Sequence, residues 1–344
     1  MAASRKRRLA AILVLVLVLL SALELVKRRF DPYLSRERGM QNPFWQEHPT
    51  RGHSLKPGDY GSIWGVPFHI NRLGFRGPEI SREKPKGVFR VLCLGDSITM
   101  GAALPEDVLY PAALQKILSA RYPSRKFEVI NAGVSGYMIE QELLLLKDEG
   151  FLLSPDLVVL QYTLYDPAGT EFYDHINPRR EIALPGKKFL LAHLALARYV
   201  QEKYNRFGLR RNVLGLGDLL AMKPDSESAS RIEHGWQDYL SRLSEMARLC
   251  RENHTAFLVL VVPHRAQFED RRRAFAPQQR LAAFGKDNQI AIIDPAPAFA
   301  ALKKPPYVVD PVHPDMQGHE IMAEMLADWV GKNLLSEEPA KAPE

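Results

Sequence analysis

Short apolar runs and amphipathic stretches alternate along most of this 344-residue chain. Five runs have the length and composition of strands, namely Val88–Leu94, Phe127–Asn131, Leu157–Tyr162, Ala256–Val262 and Ile290–Ile293. Apolar residues recur at helical spacing over Tyr110–Arg121, Glu140–Glu149, Trp236–Asn253, Arg271–Lys286 and Met316–Lys332. Strands and helices that alternate in this way predict a parallel sheet with helices on both of its faces.

The N-terminus has a different pattern. The basic segment Arg5–Arg8 precedes an apolar run, Leu9–Leu23, which only Ser21 interrupts and which extends to Val26 past one glutamate. This arrangement is typical of a cleaved signal peptide or of an uncleaved signal anchor. Because no clear cleavage site follows, and because about 18 apolar residues can just span a bilayer, we predict a single-pass transmembrane helix. The main domain is then expected outside the cytoplasm, on the periplasmic side of an inner membrane.

These patterns divide the chain into four parts. We predict an anchor over 1–29, a linker with a small β extension over 30–87, an α/β domain over 88–335 and a disordered tail over 336–344. Residues 27–55 are rich in Arg, Pro, Glu and Gln and predict a linker, whereas Ser62–Phe75 contains strand-like stretches. Residues 167–235 interrupt the alternation and predict a helical insertion over the active-site edge of the sheet.

Composition and charge narrow the range of functions. The formal net charge is +6, and part of it comes from the basic N-terminus. The body of the chain has no basic stripe with interleaved aromatic residues, so no nucleic-acid partner is expected. No spacing typical of metal ligands stands out either. Neither a metal nor an organic cofactor is therefore implied.

A serine follows the first predicted strand of the sheet. Ser97 ends the tripeptide Gly95-Asp96-Ser97, at the carboxyl edge where open α/β folds bind ligands. Far along the chain, Asp310 precedes His313 by three positions. Together these residues could supply the nucleophile, the general base and the orienting carboxylate of a serine hydrolase. Alone, the tripeptide is typical of a turn and His313 of a solvated loop, but the combination favours catalysis.

These residues resemble the motifs of the SGNH, or GDSL, hydrolase superfamily over about Asn71 to Trp329. The resemblance implies a flavodoxin-like three-layer α/β/α fold with a five-stranded parallel sheet. It also implies that Ser97 is the nucleophile, that Asp310 and His313 complete the triad, and that Gly136 and Ser97 donate backbone N–H groups to the oxyanion. The stretch Ile70–Gly77 is similar to one found ahead of the hydrolase core in membrane-anchored bacterial members.

One block departs from the family pattern. Tyr165 stands where the family has an asparagine that donates to the oxyanion, and Thr163 stands where it has a glycine. A tyrosine hydroxyl also donates, but it lies farther from its backbone. Tyr165 could donate from a shifted position, another residue could replace it, or activity could be reduced or lost. Losing one oxyanion donor costs about 100- to 1000-fold in turnover.

The expected function is that of a membrane-anchored serine esterase. Its substrate would be an O-acyl ester of an envelope carbohydrate or a lipid. His264 and Arg265 follow the fourth predicted strand and could contact an anionic substrate, although solvated loop residues would have the same pattern. Two alternatives remain open. One is an O-acyltransferase with the same fold, and the other is a non-catalytic envelope-binding protein, which Tyr165 favours.

Overall fold

In this computed structural model the described residues are 12, 14–26, 44–63, 66–101, 104–164, 166–168, 194, 196, 226–269, 275–307 and 312–335. The chain divides into two units. One contains Met1–Pro43 and Arg179–Arg211, and the other contains Phe44–Pro178 and Asn212–Glu344. The second unit holds the sheet and every described residue of the predicted active site.

A five-stranded parallel sheet is the centre of the larger unit. Its strands are β5 (Val88–Gly95), β6 (Lys126–Gly133), β7 (Leu157–Tyr162), β8 (Ala256–Val261) and β9 (Ala291–Ile293). They lie in the order β6-β5-β7-β8-β9. In this order the first strand of the sheet lies between the second and the third, which is the flavodoxin-like arrangement. The predicted fold is therefore confirmed, and the five predicted strands agree with the observed ones to within two residues.

Eight α-helices accompany the sheet in the described part of the larger unit. They are α1 (Ser97–Met100), α2 (Tyr110–Arg121), α3 (Ile139–Leu145), α4 (Ser226–Glu252), α5 (Ala266–Glu269), α6 (Ala276–Asn288), α7 (Ala296–Ala300) and α8 (Met316–Asn333). Shorter 3-10 turns cover Glu106–Val108, Phe151–Leu153 and Asp166–Ala168, and a π turn covers Leu146–Gly150.

Alternate residues of the strands point to opposite faces of the sheet and create two separate apolar cores. On one face, Val91 and Val159 pack with buried residues of α2 and α8. On the other face, Leu92 and Leu160 pack with residues of α3, α4 and α6. Because both faces are covered, the inner strands β7 and β8 consist almost entirely of apolar residues, as buried parallel strands do.

Two antiparallel hairpins precede the sheet. The first joins β1 (Trp45–His48) to β2 (Gly52–Leu55), and the second joins β3 (Tyr60–Ile63) to β4 (Val66–His69). The first hairpin corrects the prediction of a linker over 27–55. Its segment is polar overall, but Leu55 is buried in the core and Trp45 packs against that core. We call residues 44–78 the β extension.

Three helices differ from their predicted limits by four residues or more. Helix α3 ends at Leu145 rather than at Glu149, because the chain continues as the π turn Leu146–Gly150. Helix α4 begins at Ser226 rather than at Trp236, so it starts inside the segment predicted as an insertion. The polar sequence Ser226–Arg231 carries no apolar periodicity that would have indicated a helix. Helix α6 begins at Ala276 rather than at Arg271, and residues 270–274 lie outside the described part of the chain.

The described part of the N-terminal unit contains a helix over residues 14–26, whose apolar side chains are largely exposed. Within the described residues, no helix is both long enough and apolar enough to cross a membrane. The start of the predicted anchor, the tail 336–344 and most of the predicted insertion 167–235 lie outside the described residues.

Candidate active site

Ser97 is the first residue of α1, directly beyond the carboxyl end of β5. Asp96 begins this turn by accepting a 2.8 Å hydrogen bond from the backbone N–H of Ile98 through its side chain. The turn ends at Gly101, whose N–H donates to the carbonyl of Ser97 at 2.9 Å. The hydroxyl of Ser97 is thus carried by a single capped helical turn at the edge of the sheet.

His313 reaches this turn from the opposite end of the chain. Its Nε2 atom lies 2.9 Å from the Oγ atom of Ser97, and the residue is only 8% exposed. Helix α8 begins shortly after it, where the Asp315 side chain accepts the N–H of Gly318 at 3.1 Å. An imidazole nitrogen within hydrogen-bond distance of a serine hydroxyl has the geometry of a base that takes up its proton.

The buried side-chain amide of Gln161 contacts α1 and accepts two hydrogen bonds from it. Gln161, near the end of β7, accepts hydrogen bonds through Oε1 from the hydroxyl of Thr99 at 3.0 Å and from its N–H at 3.3 Å. The Thr99 hydroxyl also lies 2.9 Å from the hydroxyl of Tyr110. Strand β7, through Gln161, and the first residue of α2, Tyr110, are therefore both joined to the nucleophile turn by polar side chains.

Three carboxyl groups lie around the same sheet edge, of which Glu142 and Asp166 are buried and Asp96 is half-buried. Burial raises the pKa of Asp96 to about 6, and it raises the pKa of Glu142 and of Asp166 well above the usual carboxyl range. Neither carboxyl oxygen of Glu142 has a hydrogen-bond partner within the described structure. In such surroundings Glu142 and Asp166 are held in their neutral forms.

Gly136 lies at the third position of a tight turn that follows β6. The N–H of Tyr137 donates to the carbonyl of Val134 at 3.0 Å, and Gly136 has a φ of +82°, as a type II turn requires. Neither the N–H of Gly136 nor that of Ser97 donates a hydrogen bond within the described part of the chain. Unpaired N–H groups of this kind are what an oxyanion site needs.

The other predicted site residues are placed as follows. His264 and Arg265 lie in the segment that follows β8, after Pro263. His264 is 4% exposed, and its N–H donates to Gln267 at 2.8 Å. Asp310 and Tyr165 lie outside the described residues. No group of three or more His, Cys, Asp or Glu side chains in the described structure is arranged to hold a metal ion.

The residues that support the nucleophile turn were not predicted from the sequence. Gln161 interrupts an otherwise apolar strand, and a polar residue in a buried strand needs a hydrogen-bond partner. That signal could have identified it. Arg76 and His319, which also contact this region, have no comparable local signal, because their partners are distant in the sequence.

A comparison with models of known protein families identifies one family. The family model described as GDSL-like lipase/acylhydrolase matches residues 93–321, which is most of the chain. The comparison with curated proteins finds no match.

Several of the solved structures to which this chain is similar are described as esterases or lipases. One is a variant of Axe2, an acetylxylan esterase from Geobacillus stearothermophilus, with 17% identity, a TM-score of 0.45 and coverage of 71% of this chain and 94% of that one. A second is a two-domain esterase active on acetylated mannans, with 12% identity, a TM-score of 0.44 and coverage of 75% and 52%. A third is a GDSL-like lipase from Bacteroides thetaiotaomicron, with 18% identity, a TM-score of 0.38 and coverage of 71% and 89%. On the strength of the family model, the chain belongs to the GDSL-like lipase/acylhydrolase family and is an SGNH-type serine hydrolase.

Proposed function

We propose that the chain is a serine esterase that cleaves an O-acyl ester through a covalent acyl-enzyme. The observation that carries this proposal is the 2.9 Å distance between Ser97 Oγ and His313 Nε2. Serine is a weak nucleophile near neutral pH, so it needs a base at this distance. Histidine is suited to that role because its ordinary pKa lies near neutrality.

The proposed reaction has two halves. His313 removes the hydroxyl proton of Ser97 while Oγ attacks the ester carbonyl, and the proton then passes to the leaving alcohol as the ester C–O bond breaks. Water attacks the resulting acyl-serine, His313 again takes the proton, and the acid leaves while Ser97 regains its hydrogen. Asp310 is proposed to orient His313, in keeping with the triad arrangement.

The negative charge that develops on the carbonyl oxygen needs donors. The N–H groups of Ser97 and Gly136 are proposed for this role, and their lack of partners within the described structure supports it. Tyr165, at the position of the family's asparagine, is proposed as a third donor. His264 and Arg265, at the end of β8, are proposed to contact the substrate.

The substrate class is proposed from the expected location. A basic segment followed by the apolar run from Leu9 to Val26 supports anchoring in a membrane, with the hydrolase domain outside the cytoplasm. An enzyme held there would meet acylated envelope carbohydrates and lipid esters. Retention of the full chain in washed membranes, with its hydrolase domain cleaved by protease added outside sealed spheroplasts, tests this placement. Recovery in the soluble cytoplasmic fraction would contradict it.

The catalytic proposal is tested with the full chain purified in detergent. Burst and steady-state release from a short-chain aryl ester are measured for the wild type and for Ser97→Ala, His313→Ala and Asp310→Asn. We expect the first two to lose turnover, and the third to lose up to about 10⁴-fold. Ser119→Ala, which changes an exposed serine on α2, is the control and should keep full activity.

The outcomes separate the candidate functions. Turnover that survives Ser97→Ala would overturn the assignment of the nucleophile. A burst without turnover would indicate an O-acyltransferase that lacks its acceptor. Absence of both, with an intact fold, would favour a non-catalytic envelope-binding protein. A comparison of acetylated oligosaccharides with lipid esters as substrates then distinguishes the two substrate classes.

A further inference from the structure

A loop of the β extension reaches the nucleophile turn. Its conformation is fixed by Asn71, whose side-chain oxygen accepts the N–H groups of Leu73 and Phe75, both at 3.0 Å. The Asn71 amide donates in turn to the carbonyl of Pro78 at 3.0 Å. These bonds close the loop on itself, so the residues between Asn71 and Pro78 are presented in one defined arrangement.

Arg76 is the residue that this loop presents to α1. It is 2% exposed, and its guanidinium group donates to the carbonyls of Met100 and Gly101, both at 2.7 Å, and of Leu104 at 2.8 Å. The guanidinium also lies over the ring of Phe68, 4.8 Å from its centre. The last carbonyls of a helix have no partner within the helix. At the end of α1, the side chain of Arg76 supplies a donor to two such carbonyls, those of Met100 and Gly101.

This buried charge has no counterion in the described structure. Burial lowers the pKa of Arg76 to about 10, and Glu106 offsets this effect only in part. A buried cation without a carboxylate is costly, and an apolar side chain would fill the same space more cheaply. The planar guanidinium group of an arginine can donate to three carbonyls at once in a fixed geometry, whereas the ammonium group of a lysine cannot. We therefore infer that an arginine is needed here to hold the backbone from Met100 to Leu104 in one geometry.

We propose that Arg76 is a positioning residue for the nucleophile, holding the exit of α1 so that the Ser97 hydroxyl stays in line with His313. The connection is short. Gly101 accepts from Arg76 and donates its own N–H to the carbonyl of Ser97 at 2.9 Å. The proposal rests on the proposed esterase function. It adds that the β extension, which lies outside the matched residues 93–321, is part of the catalytic apparatus.

A second contact connects the β extension with the Gly136 turn. Nε2 of His53, on β2, donates to the carbonyl of Ser135 at 3.0 Å. The hydroxyl of Tyr137 donates back to the carbonyl of His53 at 2.5 Å. The same extension thus contacts both segments that carry the proposed oxyanion donors, which supports a role in positioning beyond that of a cover for the core.

Arg90 offers a matched control for Arg76. It is also fully buried, and its guanidinium donates to the carbonyls of Ser81, Arg82 and Leu153. Unlike Arg76, it also forms an ion pair with a carboxylate, that of Glu128. It lies near the amino end of β5, about 17 Å along the strand from the carboxyl end at roughly 3.3 Å per residue. Replacing either arginine removes a buried cation with three carbonyl partners, but only Arg76 contacts the nucleophile turn.

The test measures the rate at which a fluorophosphonate labels Ser97, together with kcat and KM for an aryl ester, in the full-length chain. We expect Arg76→Ala to lower the labelling rate and kcat by about 100-fold with little change in KM. Guanidinium chloride at low, non-denaturing concentration should restore at least tenfold. Arg90→Ala should lower the melting temperature but leave labelling near the wild-type rate and unaffected by guanidinium.

Each other result has a defined meaning. An Arg76→Ala protein that is folded and labelled at the wild-type rate overturns the proposal, and so does an equal loss of labelling in Arg90→Ala. If Arg76→Ala does not fold, Arg76→Lys carries the test. Slow labelling of folded Arg76→Lys supports the proposal, whereas full-rate labelling, or failure of this variant to fold as well, overturns it. A wild type that is labelled but hydrolyses no ester argues against the proposed function and leaves the positioning role intact.

Discussion

The backbone N–H of Tyr110, at the start of α2, donates a 3.0 Å hydrogen bond to Nδ1 of His319, in the first turns of α8. The two rings are stacked, with centres 6.0 Å apart. Because Nδ1 accepts, the proton of the neutral imidazole lies on Nε2. This contact joins the helix after the nucleophile turn to the helix after His313, so it fixes the relative position of the two segments that form the proposed catalytic pair.

This contact predicts acid sensitivity. Burial, with contributions from His313 and Arg76, lowers the pKa of His319 to about 3. The unfolded chain takes up this proton near pH 6.5 and the folded chain does not, so the free energy of unfolding falls as the pH drops from about 6.5 towards 3. In His319→Asn the amide oxygen can still accept the N–H of Tyr110, but the side chain no longer titrates. The free energy of unfolding should therefore fall less steeply with pH, by the slope that corresponds to about one proton. The measurement is denaturant unfolding at several pH values.

The control for this variant is His234→Asn, which replaces an exposed histidine on α4. It should leave the pH dependence of unfolding as in the wild type. Parallel curves for His319→Asn and the wild type between pH 3 and 6.5 would contradict a neutral buried His319.

Glu142 predicts a pH dependence of the opposite sign. Burial, together with the charges of Asp166 and Asp96, raises its pKa well above the ordinary value of 4.5. Above pH 4.5 the unfolded chain releases this proton and the folded chain keeps it, so folding is weakened by about 1.4 kcal/mol per pH unit until the folded pKa is reached. Glu142→Gln should therefore be more stable than the wild type at pH 8, with a difference that vanishes near pH 4.

Glu140→Gln is the matched control, since Glu140 is exposed on the same helix, α3. Chemical denaturation at pH 4, 6 and 8 should give this variant the same stability difference from the wild type at each pH. A Glu142→Gln protein that behaves in the same way would show that Glu142 is ionised in the folded chain.

Asp96 predicts a feature of the pH–activity profile. Burial raises its pKa to about 6, and the carboxyl group interacts electrostatically with His313. When Asp96 ionises, its negative charge stabilises the imidazolium that forms during attack, so kcat/KM should rise as the pH passes 6. Asp96→Asn can still cap α1 through its amide oxygen but cannot ionise. It should lower kcat/KM at pH 8 by about tenfold, the equivalent of one pKa unit.

Asp315→Asn, which alters the cap of α8, controls for a change of charge near the site and should keep the wild-type profile. A rise through pH 6 that is unchanged in Asp96→Asn would assign that ionisation to another group.

Two glycines predict contrasting effects when each is replaced by alanine. A Cβ on Gly133 would lie 2.2 Å from the backbone nitrogen of Met100, inside α1, whereas a Cβ on Gly136 would meet no atom within 4 Å. Gly133→Ala must displace the nucleophile turn, at a cost of about 1–3 kcal/mol or more in the free energy of unfolding. Gly136→Ala carries only the cost of its positive φ, about 1–2 kcal/mol.

Activity should separate the two variants further. Gly133→Ala should lose fluorophosphonate labelling of Ser97, because the turn that carries the serine has moved. Gly136→Ala should keep much of its labelling unless the turn shifts the proposed oxyanion donor. Thermal unfolding and labelling rates, measured side by side, check both statements. Equal effects at the two positions would contradict the close contact between β6 and α1.

The sheet was predictable because buried parallel strands leave a continuous apolar signal. Val88–Leu94 and Leu157–Tyr162 carry that signal, and their observed limits are close to the predicted ones. The first hairpin was missed because its segment is polar overall and is held in place mainly by Trp45 and Leu55. A pattern that depends on two residues cannot be distinguished from a linker by local composition.

The candidate site was predictable to a similar degree. Ser97 and His313 belong to motifs that the sequence displays directly, and the structure brings them together. The role of Arg76 depends on carbonyl groups that lie 24 to 28 positions further along the chain. Backbone carbonyls have no side-chain identity, so no residue pattern records that they need a donor. Support of this kind is visible only in three dimensions.

The separation of Ser97 from His313 has a further consequence. The two residues are 216 positions apart in the chain, and every strand of the sheet after β5 lies between them. Bringing the two ends of such a long stretch of chain together costs conformational entropy. The Ser97–His313 pair therefore forms only after the intervening strands and α8 have packed onto the sheet. We therefore expect nascent or truncated chains that lack α8 to be inert towards esters, so that activity-based labelling of Ser97 would report completed folding.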